Sequence, residues 1–347
     1  MVRTSILALA LVACGTSDPK PASDAEQASA EAAEQAAKAA VAEVPASHKG
    51  PFQKPIAKPE LGDPAKVDLG RMLYYEPRLS KSGTISCNSC HQLDNFGVDN
   101  EPTSPGHTGE RGPRNSPTVY NAGGHIAQFW DGRAATLAEQ AKGPILNPIE
   151  MGMDSEDSVL DVLRGIDGYV DAFKAAFPGQ DDPITYDNLA AAIEAFEKGL
   201  VTPSRFDAYL AGDATALTDA EKKGLDVYLA TGCTACHMGP LLGGTMYQKL
   251  GSVEPYETAD KGREEVTGNE ADRYMFKVPS LRNVAKTHPY FHDGSIATLD
   301  ETVRLMARHQ LGRQLEDDDV QHIVTFLGAL TGEPDADYIK KPELPEG

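Results

Sequence analysis

Apolar positions recur at helical spacing in several stretches of this chain, and no stretch shows a convincing two-residue alternation. Val67, Leu69, Met72, Leu73 and Tyr74 make an approximate stripe over residues 66–75, which Pro77 ends. Residues 159–177 and 189–200 read as two further helices, closed by Pro178 and Pro203. A fourth starts at Thr218, where Glu221 completes a capping box ahead of Leu225, Val227, Tyr228 and Leu229. The intervening loops, notably 106–117 and 143–148, are rich in Gly and Pro, a composition that wraps ligands more often than it fills cores. The pattern predicts a mainly α fold.

The beginning of the chain departs from this rhythm. Arg3 followed by an apolar stretch over 6–13 reads as a targeting segment, and Leu11-Val12-Ala13-Cys14 resembles the lipobox of bacterial lipoproteins. The expectation is a signal peptide over 1–13, a lipid anchor at Cys14 and a periplasmic protein tethered to a membrane. An ordinary secretory peptide with an incidental cysteine is the alternative. Residues 14–60, rich in Ala, Glu, Ser, Lys and Pro, read as a flexible linker whose task is reach. Nothing beyond the N-terminus is apolar for long enough to cross a bilayer.

Charge and cysteine usage narrow the chemistry. A formal net charge of -20 repels phosphates and excludes nucleic acid, while it suits encounter with a basic protein. Of five cysteines, four lie in two pentapeptides, Cys87-Asn88-Ser89-Cys90-His91 and Cys233-Thr234-Ala235-Cys236-His237. Two sulfurs three positions apart can form thioethers to the vinyl groups of one haem, and the adjacent histidine then serves as proximal iron ligand. A zinc site would use the four thiolates and leave both histidines unexplained, and a redox dithiol wants a βαβ unit that the pattern does not offer. Two c-type haems follow, one per helical domain: 61–210 around His91, 211–335 around His237, and a tail over 336–347.

Composition leaves the remaining ligands open. His107, in a flexible loop sixteen residues after His91, could reach the first iron or face solvent. At the second iron a sulfur ligand suits electron transfer, and spacing does not choose between Met275 and Met306.

A family resemblance narrows these choices. The run from Gly112-Pro113-Arg114-Asn115-Ser116-Pro117 through Gln128-Phe129-Trp130-Asp131-Gly132-Arg133 to Asn147-Pro148-Ile149-Glu150-Met151-Gly152 closely resembles bacterial dihaem cytochrome c peroxidases. Phe276-Lys277-Val278-Pro279-Ser280-Leu281-Arg282-Asn283 and Pro289-Tyr290-Phe291-His292-Asp293-Gly294 continue the match, which covers roughly 65–330 in order. The resemblance implies two cytochrome c-like domains, a peroxidatic haem bound by Cys87, Cys90 and His91, and a labile sixth ligand at His107. It implies a second, electron-transfer haem bound by Cys233, Cys236, His237 and Met306, with His292 nearby.

It also implies Glu150 as the distal acid and base, Gln140 as a distal amide, Trp130 on the electron route, and a calcium ion held by Asn115, Thr287 and Pro289. The expected reaction is reduction of hydrogen peroxide to water with electrons from a small cytochrome c or cupredoxin, in a homodimer. The rival readings are a dihaem electron carrier without a substrate and a partner-modifying dihaem oxidase. The latter carries tyrosine where this chain has His107. His288 departs from the family pattern, and His48, His125, His309 and His322 read as surface or structural residues.

Overall fold

The computed structural model describes residues 43–347. Among them twelve α-helices are joined by long loops: α1 (Ala46–Lys49), α2 (Pro64–Tyr74), α3 (Cys87–Cys90), α4 (Leu137–Leu146), α5 (Glu156–Arg164), α6 (Asp167–Ala176), α7 (Tyr186–Glu197), α8 (Arg205–Ala211), α9 (Asp219–Thr231), α10 (Glu264–Thr267), α11 (Leu299–Leu311) and α12 (Asp317–Gly328). The mainly α expectation holds. A small antiparallel ribbon, β1 (Tyr247–Lys249) on β2 (Met275–Lys277), pairs Tyr247 with Lys277 and Gln248 with Phe276. Strands of three residues are too short to leave an alternation in the sequence.

Two large sets of buried side chains organise the described residues, beside a smaller third around Tyr74, Tyr120 and Phe196. In the first half, Leu69 and Leu73 of α2 pack with Leu163, Phe173, Leu189 and Ile193. In the second, Leu225 and Tyr228 of α9 pack with Phe206, Val320, Ile323 and Phe326. Each half is built on a crossing of the helix that precedes the Cys-x-x-Cys-His segment with a later helix, α2 with α7 and α9 with α12. A glycine sits at each crossing. A Cβ at Gly70 would fall 1.9 Å from the Ala192 carbonyl oxygen, and one at Gly224 would fall 2.0 Å from that of His322. Only hydrogen in place of Cβ lets the helix axes approach so closely.

The local signals behave as their chemistry requires. Thr218 caps α9, its hydroxyl accepting from Glu221 N at 3.3 Å while Glu221 Oε2 accepts from Thr218 N at 2.8 Å. Asp63 caps α2 by accepting from Ala65 N at 2.9 Å, with Pro64 in the first turn. The helix expected over 159–177 is two helices, because the chain turns at Gly165 and Ile166 and the apolar stripe restarts on a new axis. Residues 143–146, expected in a loop, form the last turn of α4 despite Pro144.

The expected boundaries shift. Residues 1–42, including the signal peptide, Cys14 and most of the linker, lie outside the described residues. Within the rest of the linker, Val44 and Phe52 are buried in the second core, Phe52 edge-on to Phe206 with ring centroids 5.0 Å apart. The linker reading fails there because two apolar residues in a polar stretch are enough to dock it. Helix α8, expected in the first domain, contributes Phe206, Tyr209 and Leu210 to the second core. The tail returns to the first half: Tyr338 stacks on Phe196 at 5.3 Å, and Tyr75 OH donates to Ile339 O at 2.6 Å.

Candidate haem sites

The two Cys-x-x-Cys-His segments take one local form on different turns. Cys87 and Cys90 open and close α3, where an i, i+3 spacing sets both sulfurs on one side. Cys233 opens a 3₁₀ turn that ends at Ala235, just before Cys236. All four thiols are free of disulfides. In each segment the histidine amide bonds back to the first cysteine, His91 N to Cys87 O at 3.0 Å and His237 N to Cys233 O at 2.9 Å. A buried tyrosine of the preceding helix then holds the histidine carbonyl: Tyr74 OH donates to His91 O at 2.7 Å, and Tyr228 OH to His237 O at 2.9 Å. Sequence reading placed both tyrosines in apolar stripes and missed this role, since only the fold brings their hydroxyls to the turns.

In the second half, Cys233, Cys236, His237, Met306, His292 and Trp130 line one cavity. His237 Nδ1 lies 3.1 Å from Leu242 O, so it carries the proton and leaves Nε2 as the basic, ligating nitrogen. Burial lowers the pKa of His237, against the pull of the Leu242 and Pro279 backbone, and keeps the ring neutral as ligation requires. Met306, on α11, shares this cavity, and Met275 does not line it. The turn after His237 is clamped by Arg282, fully buried, which donates to Pro240 O at 2.7 Å and to both carboxylate oxygens of Asp207 at 2.7 Å. Four groups suited to one c-type haem thus converge.

The wall of the same cavity carries Asn115, Thr287 and Pro289. Asn115 Nδ2 donates to the Glu101 and Pro102 carbonyls at 3.1 and 3.2 Å, which fixes the amide and turns its oxygen the other way. Among the described residues no donor bonds that oxygen or the Thr287 and Pro289 carbonyls. His292 is only 2% exposed, with Nε2 3.1 Å from the Thr258 hydroxyl and its ring centroid 4.4 Å from that of Phe276.

In the first half the structure brings His107 and Glu150 together. His107 N donates to Glu150 O at 2.7 Å, and its ring lies against Gly152 with Nε2 3.1 Å from Pro148 O. The Glu150 side chain lines an open cleft with Phe129, Arg133 and Asn147, and Asn147 Nδ2 donates to its Oε1 at 3.0 Å. Burial raises the Glu150 pKa, opposed by the Arg133 charge and the Asn147 hydrogen bond. Burial likewise lowers the pKa of His91, against the pull of the Gly97 and Pro117 backbone. Gln140 is half-buried on α4 and lines neither this cleft nor the second cavity.

Phe129 and Trp130 join the two sites. Phe129 lines the cleft of Glu150 and Trp130 lines the cavity of His237, so adjacent residues face different centres. Phe129 has φ 67°, a left-handed backbone costly for a bulky side chain, and the Arg133 guanidinium covers its ring at 3.4 Å. Trp130 is fixed from both sides: Nε1 donates to Asn115 O at 2.9 Å, and its carbonyl accepts from Lys277 N at 2.8 Å. Nearby, Arg114 donates to Asp131, to Asp260 at 2.6 Å and to Glu265 at 3.1 Å, tying the 112–122 loop to the second half. The motifs contain Arg114 and Asp131, but their partners over a hundred residues away are not legible in sequence.

Comparisons with known proteins identify the family. The family described as di-haem cytochrome c peroxidase matches residues 64–215. The chain is 51% identical to a cytochrome c551 peroxidase of Nitrosomonas europaea, over 83% of this chain and 85% of that protein. It is 50% identical to a cytochrome c551 peroxidase of Pseudomonas aeruginosa, over 80% and 81% of the respective chains. Among solved structures, a MauG-like protein associated with microbial copper homeostasis superposes with TM-score 0.72 at 30% identity, covering 83% of this chain and 96% of the other. With two Cys-x-x-Cys-His turns, the second lining a cavity, and half-identity to such relatives across most of its length, the chain belongs to the di-haem cytochrome c peroxidase family.

Proposed function

We propose that this protein reduces hydrogen peroxide to two waters, consuming two protons and two electrons delivered by a small cytochrome c or cupredoxin. The observation that carries the reading is Glu150: a half-buried carboxyl in an open cleft, its pKa raised by burial, and joined through its carbonyl to His107. Two c-type haems, held at Cys87 and Cys90 and at Cys233 and Cys236, would relay those electrons and supply the redox-active iron. His91 and His107 would hold the first iron, and His237 and Met306 the second.

The protein's own part is proton handling and access. Glu150 Oε1 is occupied by Asn147, so Oε2 is the oxygen that takes a proton from one peroxide oxygen and returns it to the departing one. A carboxyl whose pKa is raised by burial holds that proton more firmly than an exposed one. Trp130 and Phe129 provide the covalent path between the centres. Gln140 assists as a hydrogen-bond donor in this reading, with the family resemblance as its support. The oxygens of Asn115, Thr287 and Pro289, without donors among the described residues, suit a hard cation such as calcium. Periplasmic export with lipidation at Cys14, and assembly as a homodimer, complete the proposal on the strength of sequence and resemblance.

Glu150→Gln tests it. The variant keeps the Asn147 contact and is expected to retain both haems while steady-state peroxide turnover falls by about 10²- to 10⁴-fold. Turnover at the parental rate would remove Glu150 from the chemistry.

A further inference from the structure

One buried cation near the second cavity has no anionic partner. Lys277, the last residue of β2, is only 6% exposed and lines that cavity, and no carboxylate among the described residues lies within ion-pairing distance of its ammonium. Its hydrogen-bonding partner is a neutral ring: Nζ lies 3.0 Å from His125 Nδ1. Burial, with Asp131 acting the other way through space, pulls the Lys277 pKa down to about 8. Burial and the Lys277 charge push His125 down to about 3, so the ring is neutral and Nδ1 accepts from the ammonium. Nε2 then carries the hydrogen, and it is buried without a partner.

Burying an ammonium without a counter-ion is unfavourable. An ammonium has three donors, and His125 uses one. The backbone explains why Lys277 stays inside: its amide donates to Trp130 O at 2.8 Å and it pairs with Tyr247 across the ribbon, so the side chain leaves the strand toward the junction of the two halves. A haem carries two propionate carboxylates, and Lys277, with two ammonium donors left over, lines the cavity in which Cys233, Cys236 and His237 would hold one.

We propose that Lys277, positioned by His125, is the cationic partner of a propionate carboxylate of the second haem, and that its charge favours the ferrous state there. The inference rests on the reading of a c-type haem in the second cavity. In a site of low dielectric, a fixed positive charge beside the cofactor stabilises the added electron. His125 acts through Lys277: it holds the ammonium toward the cavity and accepts one hydrogen without neutralising the charge.

The test uses the full-length holoprotein, with the pyridine haemochrome assay first establishing two covalent haems per chain. Spectroelectrochemical titration of the Met-ligated haem then compares Lys277→Gln and Lys277→Arg with the parent. Lys277→Gln is expected to shift the ferrous-to-ferric ratio at fixed potential about tenfold toward ferric, equivalent to about 59 mV for one electron. Lys277→Arg keeps the charge and is expected to stay within twofold of the parent. A Lys277→Gln protein with two haems and an unchanged potential overturns the inference while leaving the haem reading intact.

If Lys277→Gln fails to assemble, His125→Phe decides. Loss of the acceptor frees the ammonium, and the propionate bending band in resonance Raman spectra is expected to move. An unmoved band overturns the pairing. Absence of a second covalent haem in the parent would instead defeat the underlying reading.

Discussion

Glu76 shows how one side chain can set the acid limit of this protein. It is fully buried and accepts from Arg78 Nε at 2.7 Å, Arg78 Nη2 at 2.6 Å, Arg78 N at 2.9 Å and Tyr169 OH at 2.7 Å. Burial alone would raise its pKa, but the bonds from Arg78 and Tyr169 outweigh it and hold the carboxyl below its ordinary value. The unfolded chain therefore takes up a proton at higher pH than the folded one. Stability from this group is present above the unfolded pKa and is lost as pH falls through the folded one. Glu76→Gln is expected to lower stability by about 3 kcal/mol at pH 7, and its deficit against the parent should shrink at acid pH. Denaturant titrations at both pH values measure the difference, and a deficit independent of pH would refute the ionic account. The pair is close in sequence, yet nothing in residues 76–78 shows that the carboxylate is buried; Tyr169 and the first core decide that.

At the scale of elements, the two helix crossings govern how the Cys-x-x-Cys-His turns are presented. Tyr228 of α9 holds His237 O, and the close approach of α9 to α12 depends on Gly224. Gly224→Ala would place a methyl group 2.0 Å from a backbone carbonyl, an overlap that no rotamer relieves. It is expected to cost about 2–3 kcal/mol or more, seen as a lowered Tm of the holoprotein, with loss centred on the second half. A Gly224→Ala protein as stable as the parent would mean that the crossing relaxes freely. The helices themselves were legible as periodic stripes with caps, and the capping box at Thr218 was read to the residue. The crossings were not, because the sequence records which residues are apolar and not which helix each stripe meets.

The whole molecule carries a formal net charge of -20 and exchanges its ends between halves. Phe52, from near the start of the described chain, docks on the second core, and Tyr338, from the tail, docks on Phe196 of α7 in the first half. Such straps join both halves into one body, and the Arg114 cluster and the Trp130–Lys277 bond add polar ties between them. The charge bears on the electron donor. With a basic cytochrome c as probe, kcat/KM is expected to fall tenfold or more as ionic strength rises from about 0.01 to 0.15 M, because the Debye length contracts from about 30 to 8 Å. A rate flat in salt would show that the surface charge does not steer the donor.

The sequence alone carried the two Cys-x-x-Cys-His signatures and the helical class. Haem attachment needs two cysteines and a histidine at short, fixed spacing, and helices need apolar periodicity, so both are written locally. What tertiary structure decided is convergence: Met306 rather than Met275 in the cavity of His237, Glu150 bonded to His107, and Phe129 and Trp130 facing different centres. It also decided the Lys277–His125 contact, between residues 152 apart. Those relations join segments distant in the chain, and they exist only once burial of the two cores has fixed which loops meet.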